Sequence, residues 1–231
     1  DLIHYGTEAE EETIKDTAIA QPLIVAAGIV TGRLALRELD GEELIFAGHS
    51  VGEITAAALA GVLSDEDAMR FVRVRANGMA EAAAASPTGM AAVLGGVEEN
   101  VREAIDAAGL VAANSNGGGQ IVAAGPIPAI EAFAANPPAR ARVIPLKVAG
   151  AFHTEAMAPA VPALEEFAAS LKVSDPTSAL LTNRDGSAVA SGEEFVKTLV
   201  SQVTSPVRWD LCMATLLERE VAGIIEVAPA G

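Results

Sequence analysis

The sequence is poor in cysteine, in aromatic residues and in positive charge, and each shortage excludes a class of protein. Among 231 residues Cys212 is the only cysteine, so neither an internal disulfide nor a four-cysteine metal site can form. Aromatic residues make up 3% of the chain, which argues against a surface that stacks nucleic-acid bases. With 15 Lys and Arg against 31 Asp and Glu, the net charge of −16 repels nucleic acid and anionic membranes. We therefore expect neither as a general partner.

Long hydrophobic runs are also missing. The longest apolar stretches, residues 23–30 and 56–63, fall short of the about 18 residues that span a membrane, so we predict no membrane span. A single cysteine is typical of a reducing compartment, and we expect a cytoplasmic protein. The chain begins at Asp1 rather than Met and ends in a loop-like segment at Gly231. We expect the natural protein to extend beyond both ends, and a signal peptide could precede it.

The residues that are present predict an α/β fold. Hydrophobic residues at 51% and charged residues at 20% are typical of a packed globular chain. Helical patterns cover 22–39, 52–60 and about 64–85, and a short apolar run at 44–47 is typical of a buried strand. This order predicts βα units, and hence a mainly parallel sheet.

The middle of the chain predicts a second arrangement. Its strand and helix patterns follow a βαββαβ order, which is typical of a ferredoxin-like domain. The segments, in chain order, are 90–94, 97–108, 110–113, 120–124, 130–135 and 143–148. After residue 150 the α/β character returns, with strands predicted over 179–182 and 224–227. We therefore predict a large hydrolase-like α/β domain formed by 1–86 and 151–231, with a small ferredoxin-like domain inserted over 87–150.

A candidate nucleophile lies at the first predicted strand-to-helix turn. Gly48-His49-Ser50-Val51-Gly52 is a G-x-S-x-G motif between the strand at 44–47 and the helix that follows. In that setting the serine hydroxyl is exposed on a sharp turn, and the N–H groups after it can bind an oxyanion. An ordinary tight turn is the alternative interpretation.

A serine nucleophile needs a base, and the chain has three histidines. His4 lies among terminal glutamates, and His49 is adjacent to Ser50, where it would brace the turn. His153 follows the predicted strand 143–148, at the strand end where α/β sheets place their clefts, and is the preferred base. The alternative is a buried histidine that bonds to a backbone carbonyl.

Arg75 is predicted to point into the core. The apolar residues Ala68, Val72, Ala76 and Met79 form a helical stripe, and Arg75 lies on the same face. A buried guanidinium is costly unless an anion pairs with it, and its planar fork suits a carboxylate. That carboxylate could belong to a protein Asp or Glu, or to a substrate held close to the serine.

These motifs resemble those of the malonyl-CoA:acyl-carrier-protein transacylases and of the related acyltransferase domains of polyketide synthases. The matching segments follow the family order and span essentially the whole chain. They are Gly48-His49-Ser50-Val51-Gly52-Glu53; Val74-Arg75 with Met79; Asn114, Asn116 and Gln120; Gly150-Ala151-Phe152-His153-Thr154; and Gln202 with Pro206-Val207-Arg208-Trp209.

The resemblance implies a ping-pong mechanism. Ser50 would take malonyl from coenzyme A and pass it to the phosphopantetheine thiol of acyl carrier protein, with His153 as general base and acid. The backbone N–H of Val51 would supply one oxyanion donor, and a Gly-Gln-Gly loop that this sequence does not contain would supply the second. Gln202 stands where an amide or backbone oxygen orients the histidine.

The resemblance also implies how the substrate is chosen. Arg75 would pair with the malonyl carboxylate, Phe152 would crowd the α-methyl of methylmalonyl, and His49 and Asn116 are further substrate-binding candidates. No metal is implied, and no cofactor besides the coenzyme A thioester, which is the substrate. We expect a monomer.

The carrier protein and the rival functions stay open at this point. An acidic carrier must find a local basic patch on so acidic a chain, either Arg70 and Arg73 or Arg140, Arg142 and Lys147. A polyketide synthase acyltransferase domain, a serine hydrolase or thioesterase, and a carrier-binding module without activity are the alternatives.

Overall fold

Helices and short strands alternate along most of the chain. The computed structural model describes residues 2–39 and 41–229. The helices are α1 (Leu2–Thr7), α2 (Glu11–Ile14), α3 (Thr17–Glu38), α4 (Gly52–Leu59), α5 (Asp65–Ala85), α6 (Glu98–Ala107), α7 (Ile127–Ala135), α8 (Val161–Ala168), α9 (Gly192–Ser201) and α10 (Trp209–Glu218), with 3-10 turns at Glu155–Ala160 and Gln202–Thr204. The strands are β1 (Ile45–Phe46), β2 (Thr88–Gly95), β3 (Val111–Gly117), β4 (Gln120–Pro126), β5 (Ala141–Pro145), β6 (Ala179–Leu180) and β7 (Val207–Arg208).

The larger part of the structure surrounds a parallel strand pair. β1 pairs with β6 in parallel, and helices α3, α4, α5, α8 and α9 contribute to the apolar core beside them. Ser64 caps α5, its hydroxyl accepting from the backbone N–H of Asp67 at 3.0 Å. The helical stripe predicted on α5 is buried, so the inward placement of Arg75 follows from helix periodicity.

Two strand predictions need correction. The strand predicted over 224–227 is wrong, since this segment has no regular secondary structure and Ile224 and Ile225 are 68% and 62% exposed. A strand forms by pairing, and no neighbouring strand within the described residues pairs with these. The strand predicted over 143–148 lies at Ala141–Pro145, so six residues separate its end from Phe152 rather than three.

Helix α3 qualifies our expectation about membrane spans. By length and composition alone it could cross a membrane, which the search for unbroken apolar runs missed because polar residues interrupt its apolar ones. Core helices also pass this test, and here α3 packs closely against α4. A Cβ at Gly28 would lie 2.9 Å from Thr55, and one at Gly32 would lie 2.5 Å from Leu59. The two glycines therefore let the helices approach each other.

The middle of the chain forms most of a five-stranded sheet in the order β5-β2-β4-β3-β7. The first four strands pair with one another in antiparallel fashion, and the predicted order of two βαβ halves is present. Helices α6 and α7 contribute to the apolar core on one face of the sheet. Met90, Val122 and Ala124 lie in a second small core, which contains Ala151 and contacts Phe152. That face of the sheet therefore contacts the segment that carries His153.

Strand β7 joins this sheet from a distant part of the chain. It lies parallel to β3, with Asn114 opposite Val207 and Ser115 opposite Arg208. The sequence patterns did not predict this fifth strand. It connects the sheet in the middle of the chain to the polypeptide just after Gln202, and so to the residues around His153.

Candidate active site

The turn that carries Ser50 is strained and depends on one glycine. Ser50 follows β1 with φ +52°, in the left-handed region, and α4 begins two residues later. A Cβ at Gly48 would overlap the backbone of Gly52, so only glycine fits there. The close approach turns the chain sharply and leaves Ser50 half-buried, with its side chain at the N-terminal end of α4.

Ser50 and His153 form a hydrogen-bonded pair. Ser50 Oγ lies 2.7 Å from His153 Nε2, and His153 Nδ1 lies 2.9 Å from the backbone oxygen of Gln202. Because that carbonyl oxygen can only accept, Nδ1 carries the proton and Nε2 is free to accept from the serine hydroxyl. Burial lowers the pKa of His153 to about 3, and the charge of Arg75 adds to the shift. The imidazole is therefore neutral near pH 7, as a general base requires.

Arg75 is 2% exposed, and its three partners are neutral. Nη1 donates to Gln21 Oε1, Nη2 donates to Gln202 Oε1 at 2.8 Å, and Nη2 lies 3.4 Å from Ser50 Oγ. Within residues 2–39 and 41–229 no Asp or Glu forms an ion pair with it, and its buried Nε has no partner there. Burial lowers its pKa to about 10, so the group stays charged at neutral pH.

Gln202 connects these groups. Its backbone oxygen orients His153, while its side-chain oxygen accepts from Arg75. Its side-chain nitrogen donates to the backbone oxygen of Ser50 at 3.0 Å and to Glu53 Oε2. The sequence interpretation left open whether an amide or a backbone oxygen faces the histidine, and in the structure it is the backbone oxygen.

Sequence reasoning assigned no role to three polar residues at this site. Asn183 is 1% exposed and accepts from the backbone N–H of Ser50 at 2.7 Å, while its Nδ2 donates to Gly48 O at 2.8 Å. Glu53 and Gln21 are buried beside Gln202 and Arg75. The available signal was position, because Asn183 follows β6 at the strand end next to the one that leads into Ser50.

The remaining candidates line the approach to the serine. His49 is exposed, its Nε2 lies 2.9 Å from Asn116 Oδ1, and its ring lies edge-on to that of Trp209 with centroids 5.7 Å apart. Phe152 is half-buried and packs against both apolar cores that meet here. No acceptor for the backbone N–H of Val51 occurs in the described part of the chain, so this donor is available.

Comparison with known proteins identifies the family. The acyl transferase domain family matches residues 2–230. A malonyl CoA-acyl carrier protein transacylase from Mycobacterium tuberculosis is 53% identical over 233 residues, covering 100% of this chain and 77% of the relative. The crystal structure of MCAT from Mycobacterium tuberculosis has a TM-score of 0.97 at 53% identity, covering 100% of this chain and 77% of that one.

This chain belongs to the malonyl CoA-acyl carrier protein transacylase family. Another similar structure is a malonyl-transacylase in complex with a type II PKS acyl-carrier protein, with a TM-score of 0.87 and 29% identity, covering 96% of this chain and 74% of that one. The α/β fold is therefore confirmed for a transacylase, with a parallel strand pair and a mixed sheet. In the residues described for this transacylase, no group of three or more His, Cys, Asp or Glu could hold a metal ion.

Proposed function

We propose that this transacylase moves a malonyl group from coenzyme A to the phosphopantetheine thiol of an acyl carrier protein. One observation carries the proposal. Ser50 Oγ lies within hydrogen-bond distance of a neutral histidine and 3.4 Å from a buried guanidinium that has no carboxylate partner among the described residues. A nucleophile, its base and a site for the carboxylate of the acyl group therefore meet at one atom.

The first half-reaction makes a malonyl-serine ester. Ser50 Oγ attacks the thioester carbonyl carbon while its proton moves to His153 Nε2. The oxyanion that forms is stabilised by the free N–H of Val51 at the start of α4. When the carbon–sulfur bond breaks, the thiolate of coenzyme A takes the proton from His153 and leaves as the thiol.

The second half-reaction returns the system to its starting state. The carrier thiol gives its proton to His153 and attacks the ester carbonyl, and Ser50 leaves with that proton as its hydroxyl. The backbone oxygen of Gln202 holds the imidazole in one tautomer throughout, so the base needs no acidic partner.

Arg75 selects malonyl over acetyl. The malonyl carboxylate would pair with the guanidinium, whereas acetyl would leave a buried charge without an anion, which can discriminate by about 10⁴-fold. Phe152 limits the space for an α-methyl group and so disfavours methylmalonyl, by about 1 to 3 kcal/mol. His49 and Asn116 bond to each other beside the serine, and we assign them to the wall along which the acyl thioester lies.

The acidic carrier would dock at strand β5. Arg140, Arg142 and Lys147 are exposed and form no ion pair in the described structure, and residues 132–154 contain no Asp or Glu. The rival patch is weaker, because Arg70 is already paired with Glu66 at 2.6 Å. Electrostatic attraction at β5 would offset the repulsion expected from the net charge of −16.

We also propose the finer description of the molecule. The insert, over 87–150, is ferredoxin-like, because its four strands are antiparallel in the order that this motif adopts. The large domain over 1–86 and 151–231 is hydrolase-like, because its serine lies on a strand-turn-helix corner. We further propose a monomer located in the cytoplasm, with no cofactor besides its thioester substrate.

Intact mass spectrometry tests the function. After brief exposure to malonyl-CoA the protein should gain one malonyl group, the Ser50→Ala variant should gain none, and addition of holo carrier protein should remove the adduct and load the carrier. Release of free malonate and coenzyme A without an adduct would instead indicate a hydrolase. The absence of both adduct and turnover would indicate a carrier-binding module without activity.

A further inference from the structure

Among the described residues Glu53 is the one acidic residue buried in this site, and its carboxylate bonds to neither Ser50 nor His153. It is 0% exposed on α4. Its Oε1 accepts from the backbone N–H of Asn183 at 2.7 Å, and its Oε2 accepts from the side-chain nitrogen of Gln202. One oxygen therefore positions Asn183, which bonds to the backbone of Ser50. The other positions Gln202, which bonds to Ser50, Arg75 and His153.

The contact with Gln202 determines which way that amide points. The side-chain nitrogen of Gln202 donates to two acceptors, Ser50 O and Glu53 Oε2, so the side-chain oxygen must face Arg75. A flipped amide would place NH₂ against the guanidinium, where two donors would meet, and its oxygen against a carboxylate. Glu53 therefore excludes the flipped state.

Through Gln202 the negative charge of Glu53 lies near Arg75 without bonding directly to the guanidinium. A buried guanidinium with neutral partners alone is costly. The charge of Glu53 favours the protonated form of Arg75 and so opposes the effect of burial on its pKa. Because an amide stands between cation and anion, Nε keeps no protein partner in the described structure and Nη2 still reaches Ser50. A direct Arg–Glu pair would fill the position that a substrate carboxylate needs.

We propose that Glu53 is a positioning residue and the indirect counter-ion of Arg75, which acts through Gln202 to keep the guanidinium charged, oriented and open for the acyl carboxylate. The second oxygen of Glu53 holds Asn183, and through it the turn at Ser50. Glu53 thus couples the selectivity of the site to the position of the nucleophile. The role in selectivity rests on the proposed function, whereas the coupling between Glu53 and Arg75 does not.

The Glu53→Gln variant tests the selectivity. Glutamine has the same size, but it offers one acceptor oxygen rather than two and carries no charge. We expect the ratio of malonyl to acetyl acylation rates to fall at least about tenfold, with most of the change in the KM for malonyl-CoA. In a Gln202→Ala background the same substitution should lower the ratio no further, because both changes break one connection.

A matched control separates positioning from general destabilisation of α4. Thr55→Val changes another buried polar residue of this helix, one that packs against Gly28 rather than the site, and should leave the ratio unchanged. If Glu53→Gln fails to fold, Glu53→Asp takes its place in the test. It retains the charge and both oxygens on a shorter side chain, and it should lower the ratio by less than the about tenfold expected for Glu53→Gln. An unchanged ratio in the folded Glu53 variant, or additive losses with Gln202→Ala, would overturn the proposal.

Thermal unfolding tests the coupling even if the proposed function is wrong. If the unmodified protein forms no malonyl adduct, the function fails, but the two charges can still be compared. Glu53→Gln should lower Tm less in an Arg75→Met background than in the unmodified protein, because Glu53 is then an uncompensated buried charge. Equal Tm losses in the two backgrounds would overturn the counter-ion role.

Discussion

The buried polar residues of the site, Gln202, Asn183 and Glu53, form what we call its floor. They differ from the residues at the five-stranded sheet in burial and in charge. On the floor all three residues are buried, and the carboxylate of Glu53 accepts hydrogen bonds from both Gln202 and Asn183. At the sheet, His49 is exposed and bonds to Asn116, and exposed cations that form no ion pair in the described structure lie in and beside strand β5. Geometry fixes the chemistry in the first region, whereas exposed charge can select a macromolecular partner in the second.

This contrast predicts two kinds of sensitivity. A change on the floor should alter the rate of acyl transfer or the choice of acyl group, whichever thiol accepts it. A change at β5 should alter only the transfer to a carrier protein, and salt should imitate it.

Removal of the base should have the largest effect. His153→Ala leaves the hydroxyl of Ser50 without a proton acceptor, and acylation by malonyl-CoA should fall by about 10⁴-fold. Rapid-quench mass spectrometry of the acyl-enzyme measures this rate. His4→Ala is the control, because His4 is exposed and pairs with Glu8 on the surface. A loss of less than about tenfold would show that another group takes the proton.

Removal of the guanidinium should change selectivity more than reactivity. Arg75→Ala should lower malonyl acylation by about 10³-fold, because the carboxylate then enters a buried site without a cation. Acetyl acylation at Ser50 should change far less. The exposed Arg73→Ala on the same helix should change neither rate. Retained malonyl selectivity in the Arg75 variant would contradict the carboxylate role.

The two glycines of the motif should differ in their effect on stability. Gly48→Ala places a methyl group against the backbone of Gly52 and should lower the free energy of unfolding by at least about 2 kcal/mol. Gly52→Ala should cost less, since in the described structure no heavy atom other than those of its chain neighbours and its own helix backbone lies within 4 Å of the added carbon. Urea denaturation of both variants measures the difference. Equal losses would show that the turn does not depend on this close approach.

Charge reversal at β5 should affect the carrier alone. In the Arg140→Glu and Arg142→Glu double variant, the KM for the carrier protein should rise about tenfold, with malonyl-CoA acylation unchanged. The KM of the unmodified protein should rise with salt, and that of the variant should respond less. Arg73→Glu serves as the control on α5. A rise in the KM for malonyl-CoA instead would assign the patch to the phosphates of coenzyme A.

The pH dependence of acylation should reflect the titration of Glu53 rather than that of the base, His153. Burial raises the pKa of Glu53 to about 7, whereas it lowers the pKa of His153 to about 3. Arg75 and Cys212 face Glu53 with pKa values of about 10 and about 11, so neither titrates between pH 5 and 8. Protonated Glu53 cannot accept at both oxygens, and acylation should therefore fall a few-fold as the pH drops through about 7.

The Glu53→Gln variant is the test of that assignment. Its acylation rate should be constant from pH 5 to 8, and a rate that still falls at low pH would assign the titration to another group.

The free energy of unfolding should change in the opposite direction to the acylation rate: it should fall as the pH rises. Because folding raises the pKa of Glu53 from 4.5 to about 7, the protonated carboxyl stabilises the folded state. This stabilisation is fully present below pH 4.5 and is lost as the pH rises through about 7.

Local patterns predicted the residues whose roles depend on local geometry. The inward placement of Arg75 follows from the 3.6-residue period of α5. Ser50 stands out because a strand, a turn and a helix meet within one short motif. His153 could be chosen because it follows a strand and because the chain has only three histidines.

Contacts between distant segments could not be predicted in this way. The Asn183 contact with Ser50 joins residues 133 positions apart, and the Gln202 contact with Glu53 joins residues 149 apart. No periodicity marks such partners, because each pairing depends on the final placement of β6 and α9. The same reason explains β7, whose two residues become a strand only where β3 lies beside them.

Competition between two thioesters tests whether Ser50 is the nucleophile and Arg75 the carboxylate site. The protein is exposed briefly to equal concentrations of malonyl-CoA and acetyl-CoA, and the acyl group on each peptide is identified by mass spectrometry. We predict one modified residue, Ser50, which carries malonyl almost exclusively. Comparable malonyl and acetyl on Ser50, or an adduct on any other residue, would contradict the assignment of nucleophile and carboxylate site.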